Sequence, residues 1–460
     1  MIETLAVLPP SFWIALALFA YGVTWAGRHL RNGLGLPVMA VLGTVTAWYV
    51  GDALYNDYAG TYTAEFTPAV LDDAWWEVAL FVTVFLALTP VTHRWINRRE
   101  LKRPGQVSQM MQAGVEQPLF QSGLLRIFWP CVVLWALTSV VAAFRLEGET
   151  AYYFFPFLGH RADPWSRERI GTGMDSLLSL AGYLQMFVAA MFGIMAALMR
   201  DRLLRAFTLA GCLITWPYFI FAGTRNTMLV VMGPAILAWV FLRLRGGVLQ
   251  KAIILAGFFL LINAWFGFVI ANRSTSSITG ALEERGFDWQ SNEGVHHEGL
   301  NMYEELCWIN TFIANGLYQP NWGQGYLAEL ANPIPRVLWP DKPLIGVDYA
   351  ILRGQSYTAG SGLVTASIST GMIGQGVVNF GRVLGPAFAA LLMSIWVAVL
   401  ARLDLHGQEV GRIPLYGLGL VLTFNLGRDI TLITLYTFVF GYVILWCVGR
   451  LQKKQIRKQP

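Results

Sequence analysis

Eleven apolar runs, with basic residues alternating between the connections that join them, constrain this chain more than any other feature. The runs are 11–27, 36–54, 75–92, 124–144, 176–198, 204–222, 226–242, 250–271, 383–401, 413–427 and 430–448. A helix needs about 20 mostly apolar residues to cross a bilayer, and most of these runs approach that length. Only 13% of the residues are charged, against the roughly 25% typical of a soluble domain. The pattern predicts an all-α integral membrane protein: one polytopic domain over 1–460, a bundle of about 11 transmembrane helices. The opening MIETLAVLPPSFW carries Glu3 and no cation. It lacks the basic lead of a cleaved signal, so the first apolar segment is expected to be retained.

Short cytoplasmic loops are enriched in Lys and Arg. Arg28 and Arg31 follow the first run, whereas Asp57, Glu65, Asp72 and Asp73 follow the second. Arg94, Arg98, Arg99, Lys102 and Arg103 follow the third. The alternation continues through Arg200, Arg202 and Arg205, then Arg243, Arg245 and Lys251, then Arg402 and Arg412, to the tail RLQKKQIRKQP. With Arg126, these positions account for 21 of the 33 Lys and Arg, and the rest fall on the other side. The net charge of +5 therefore reads as topology and not as a nucleic-acid footprint. The amino terminus is expected outside the cytoplasm and the carboxyl terminus inside it. No cysteine spacing indicates a disulfide framework or a zinc site.

The cations on the outer side are the ones that topology does not explain. The longest connection, 272–382, is a large extracytoplasmic loop. Its length predicts partial folding, with a helical rhythm from Leu300 to Ile313 and a Gly/Ser/Thr-rich stretch at 361–381 suited to an interfacial or re-entrant helix. Over 272–360 it holds ten carboxylates against five cations, so Arg336 and Lys342 in NPIPRVLWPDKP are not part of a basic surface. Prolines on either side stiffen that segment. It is read either as a preorganised cation pair aimed at phosphate oxygens or as a rigid turn paired with Asp341, Asp348 or lipid headgroups. AGTRNT places Arg225, and LGRDIT places Arg428 and Asp429, in short outer turns, where a buried-facing cation role competes with snorkelling to headgroups.

His296, His297 and Glu298 are adjacent, and neighbouring positions on a regular element do not converge on one centre. No metal is expected from them. A base role for a histidine or for Glu298, Glu304 or Glu305 stays open. The loop's tryptophans and tyrosines suit sugar faces or, equally, an aromatic belt at the interface.

Taken in order, AGTRNTML at 222–229, NPIPRVLWPDKP at 332–343, ASISTGMIGQGVVNFGRVLGPAF at 366–388 and LGRDIT at 426–431 resemble the bacterial oligosaccharide repeat-unit polymerases, the family of O-antigen and exopolysaccharide polymerases. At Gln375 that family often has an acid, so no carboxylate role carries over there. The resemblance implies a GT-C-like membrane glycosyltransferase of the bacterial inner membrane, acting outside the cytoplasm without a cofactor. Its substrate would be a lipid-linked oligosaccharide on undecaprenyl diphosphate, with a flippase and a chain-length regulator as partner proteins. Arg225, Arg336, Lys342 and Arg428, with Arg382 and Arg353 behind them, would hold the diphosphate. Asp429, His296, Glu298 or Glu304 would take the acceptor proton. Two other functions fit the same features: a ligase that moves the finished glycan to another acceptor, and a glycolipid transporter or flippase. The second predicts internal repeats, and none is evident.

Overall fold

A computed structural model of the chain describes residues 6–30, 33–98, 118–165, 180–222, 225–271, 301–335, 338–343, 346–354, 368–405 and 412–456. Among them every regular element is helical. The main helices are α1 (Pro10–Arg28), α2 (Gly35–Val45, continued by a turn of π-helix and Gly51–Tyr55), α3 (Pro68–Ile96), α4 (Pro118–Arg145), α5 (Leu180–Leu198), α6 (Arg202–Ile220), α7 (Arg225–Ala238) and α8 (Val248–Ala271). They continue as α9 (Met302–Ala314), α10 (Gln324–Ala331), α11 (Val347–Leu352), α12 (Gly371–Leu405), α13 (Arg412–Leu426) and α14 (Leu432–Ile456). Each of the eleven apolar runs is helical over most of its described residues. Among the described residues nine are long and apolar enough to cross a membrane, while Leu249–Trp265 in α8 and Arg412–Leu426 are shorter. The protein is a polytopic helical membrane protein.

Two starts differ from expectation for local reasons. α3 begins at Pro68 and not near 75, because Pro68 occupies the first turn, where no N–H is needed, and Thr67 Oγ1 accepts from Val70 N. Asp72 and Asp73, which read as loop, are helical and engaged: Ser11 Oγ donates to Asp72 at 2.6 Å, and Arg382 pairs with Asp73. α12 begins at Gly371 and not near 383, so residues 371–380 of the glycine-rich stretch form a helical arm. At Gly381, φ 78° and ψ 178° break the helix, a geometry open to glycine. The arm folds back there so tightly that a Cβ on Gly376 would overlap the Gly385 carbonyl. Of the Gly/Ser/Thr-rich stretch 361–381, residues 361–367 lie outside the described residues, and 371–380 form this arm.

The chain forms two compact units, 1–104, 296–405 and 423–434 in one, and 105–295, 406–422 and 435–460 in the other. In the first, α3 packs along α12, with α1 and α9 against them. Trp75 stacks on Tyr303 at 4.5 Å and meets Phe12 edge-on at 4.8 Å. In the second, α5 is buried on nearly every side from Gln185 to Ala196, as expected of an all-round apolar helix in a bundle. Glycines permit close approach there: Gly193 lies under Trp216 and Ala235, and Gly211 under Phe192.

Candidate functional site

Two clusters of polar side chains stand out among the described residues of the first unit. The first is a set of acids held by arginines, a tyrosine and backbone N–H groups. Asp52, near the end of the second span, accepts from Tyr62 Oη at 2.8 Å and from the Tyr303 and Glu304 backbone N–H groups at 2.8 and 3.1 Å. Those are first-turn donors of α9, and Asn301 does not cap them. Asp52 therefore does the capping from a distant helix. Glu77, inside the third span, accepts from Asn310 Nδ2 and Arg382 Nε, both at 3.0 Å. Arg382 also pairs with Asp73. Arg353 forks onto Glu305 at 3.1 and 3.2 Å, lies 3.7 Å from Glu304, and covers the Trp308 ring at 4.7 Å. Tyr349 Oη also donates to Glu305. The guanidinium groups of Arg382 and Arg353 are thus already balanced by carboxylates, and Glu304 is an ion-pair member at a helix start.

The second cluster is built by α10, the arm of α12 and the turn before α14. Arg428 is exposed, and its Nε donates to Ser369 Oγ at 2.5 Å. Beside it Asp429 Oδ1 accepts from Thr370 N and Oγ1 at 3.1 and 3.2 Å. Gln375 pins the same turn through both ends of its amide: Ile430 N donates to Oε1 at 2.8 Å and Nε2 donates to Ile430 O at 3.3 Å. A carboxylate could accept the first bond but not donate the second, which is a physical reason for an amide here. Asn379 joins the arm to α10, its Oδ1 accepting from Tyr326 N at 3.3 Å. α10 supplies Glu329, only 4% exposed, with Oε2 lacking a hydrogen-bond partner.

Two carboxyls with separated acidities result. Burial pushes Asp429 up to about 6, opposed by hydrogen bonds from Ser369 and Thr370 and by the charge of Arg428. Burial, reinforced by the charge of Asp429, pushes Glu329 up to about 8. Near neutrality Asp429 is mostly ionised and Glu329 mostly protonated. Such a pair, one ready to accept a proton and one to hold it, is the arrangement acid–base chemistry uses.

Glu329 has a testable thermodynamic consequence. Its carboxyl ionises near 4.5 when unfolded and near 8 when folded, so the native state binds more protons in that window. Stability then falls as pH rises from about 4.5 through 8. Glu329→Gln should melt higher than the wild type at pH 9, and the gap should close by pH 5. A gap independent of pH would contradict this.

Of the residues singled out in the sequence, Asp429, Arg428 and Lys342 lie in described connections between helices of this unit. Lys342 Nζ donates to the carbonyls of Asn332 and Ile334 at 2.9 and 2.8 Å, bracing the segment that leads to position 336. Arg225 opens α7 in the second unit. Arg336, His296 and Glu298 lie outside the described residues. The sequence reading missed Asp52, Glu77 and Glu329. For the first two a signal was present, since an acid inside an apolar run is costly and demands a partner. For Glu329 none was, because an acid on a short loop helix looks like solvated surface. Among the described residues no group of three or more His, Cys, Asp or Glu side chains is suited to a metal ion. The chain matches no family model, no curated protein and no solved structure.

Proposed function

We propose that the protein is a glycosyltransferase that polymerises lipid-linked oligosaccharide units, moving the growing glycan from its polyprenyl diphosphate onto the next lipid-linked unit on the extracytoplasmic side. The observation that carries the reading is the Arg428–Asp429 turn, where an exposed cation stands beside a carboxylate that is ionised at neutral pH. The transfer needs those two functions together. Asp429 takes the proton of the acceptor hydroxyl as its oxygen forms the new glycosidic bond. The bond from the anomeric carbon to the diphosphate breaks, and Arg428 balances the charge that develops on the leaving oxygens. Glu329 stays protonated beside Asp429, so the pair carries one negative charge and not two.

The family resemblance and the basic-residue topology support the same reading, and both put these residues at the outer membrane surface. Arg336, from the same connection as Lys342, is the further diphosphate contact proposed. Lys342 has a supporting role, because its ammonium is committed to backbone carbonyls. In cells, Arg336→Ala should therefore leave single lipid-linked units and no long chains, while Lys342→Ala should shorten the chains without abolishing them. Glycan electrophoresis of inserted variants reads this, and normal chain lengths in both would refute the reading. Full-length glycan accumulating on the lipid carrier in a deletion strain would point to the ligase instead.

A further inference from the structure

The segment 322–339 does not span the membrane, yet it exposes large apolar side chains almost continuously. Trp322 is 75% exposed, Leu330 62% and Leu338 70%, with Leu327, Ile334 and Trp339 exposed beside them. Singly exposed leucines are ordinary, but six large exposed apolar side chains on the described residues of so short a segment call for a partner. Its charge distribution says which. Between Trp322 and Trp339 the sequence holds two charged residues, Glu329 and Arg336. Glu329 is turned inward on α10, opposite Leu327 and Leu330. No carboxylate faces outward with the stripe, and the charges resume just past Trp339, with exposed Asp341 and then Lys342. Tryptophans at both ends, leucines between them and cations toward one end make up the composition of a segment lying in a membrane interface.

We infer that the described residues of 322–339 lie on the bilayer, with the leucine face of α10 in the interfacial layer and the Lys342 ammonium at headgroup depth. The occupant of the stripe is lipid. The inference is independent of the reaction proposed above. If both hold, the interface sets the depth of the Arg428–Asp429 turn, which α10 adjoins through Asn379, at the level where a lipid-linked diphosphate lies.

The test reads no activity. In a Cys447→Ser background, whose other described cysteines are buried, spin labels are placed separately at Leu327→Cys, Leu330→Cys and, as a water-facing reference, Asp341→Cys. The protein is held in nanodiscs of phosphatidylcholine and phosphatidylglycerol. The leucine sites should collide with oxygen in preference to a water-soluble nickel chelate, and the Asp341 site should show the reverse. Equal nickel access at all three sites overturns the inference. So does spin–spin broadening at the leucine sites that vanishes on dilution with unlabelled protein, since a second copy then covers the stripe. To avoid dependence on the variants, the wild-type chain is also irradiated in nanodiscs carrying a diazirine acyl-chain phosphatidylcholine. Adducts are expected within 322–339. Adducts on the spanning helices but none in this segment would overturn it.

Discussion

Arg428→Ala should lower the rate of glycan transfer by about 10²–10³-fold, the scale seen when one preorganised group that stabilises transition-state charge is removed. Stability should hardly change, because Arg428 is exposed and its described contact is a single bond to Ser369. A second readout separates this from simple misplacement of the turn. The charge of Arg428 holds Asp429 below where burial alone would leave it. Without that charge the folded pKa of Asp429 rises from about 6, and the acid limb of the pH–rate profile should move to higher pH. Arg428→Lys keeps the charge but not the planar fork, so it should recover the pH profile better than the rate. An unmoved acid limb in Arg428→Ala would detach Arg428 from Asp429.

Arg382→Ala should act on stability. Removing the guanidinium leaves Glu77, buried inside a spanning helix, and Asp73 without their cation. Breaking a buried pair from one side costs about 3–5 kcal/mol. The low end applies here, because the Arg382 side chain is itself 37% exposed. The loss falls next to the Gly381 break, so the arm carrying Gln375 and Asn379 should loosen too. Pairing Arg382→Ala with Glu77→Gln removes the stranded charge and should restore part of the melting temperature, with an interaction energy that a double-mutant cycle measures. If Arg382→Ala instead melts like the wild type and loses only transfer, Arg382 contacts substrate and its carboxylates are incidental.

The spans were legible because hydrophobic length and loop charge are written directly into the sequence, and each of the eleven runs is helical over most of its described residues. Their ends were less so. Asp72 and Asp73 marked a loop by composition, yet partners distant in sequence, Ser11 and Arg382, keep them in α3. The Gly381 break could be suspected from a glycine-rich stretch, but its sharpness depends on Gly376 meeting Gly385, which is a packing fact. At the site the sequence picked out Arg428 and Asp429 by their isolation in a short turn. It placed Arg353 and Arg382 behind Arg428 as diphosphate ligands, but it could not show that both are engaged by carboxylates. Glu329 was hidden for the converse reason: its significance lies in burial and in the neighbouring Asp429, 100 residues away in sequence.

The central claim is that this chain by itself joins lipid-linked glycan units at a site containing Arg428 and Asp429. The most direct measurement gives the purified protein, in nanodiscs, undecaprenyl diphosphate-linked repeat units from its own host and follows the lipid-linked products by mass spectrometry. The proposed function predicts a ladder of two, three and more units with release of undecaprenyl diphosphate, absent with Asp429→Asn. Unchanged single units with the wild-type protein, or an undiminished ladder with Asp429→Asn, would contradict it.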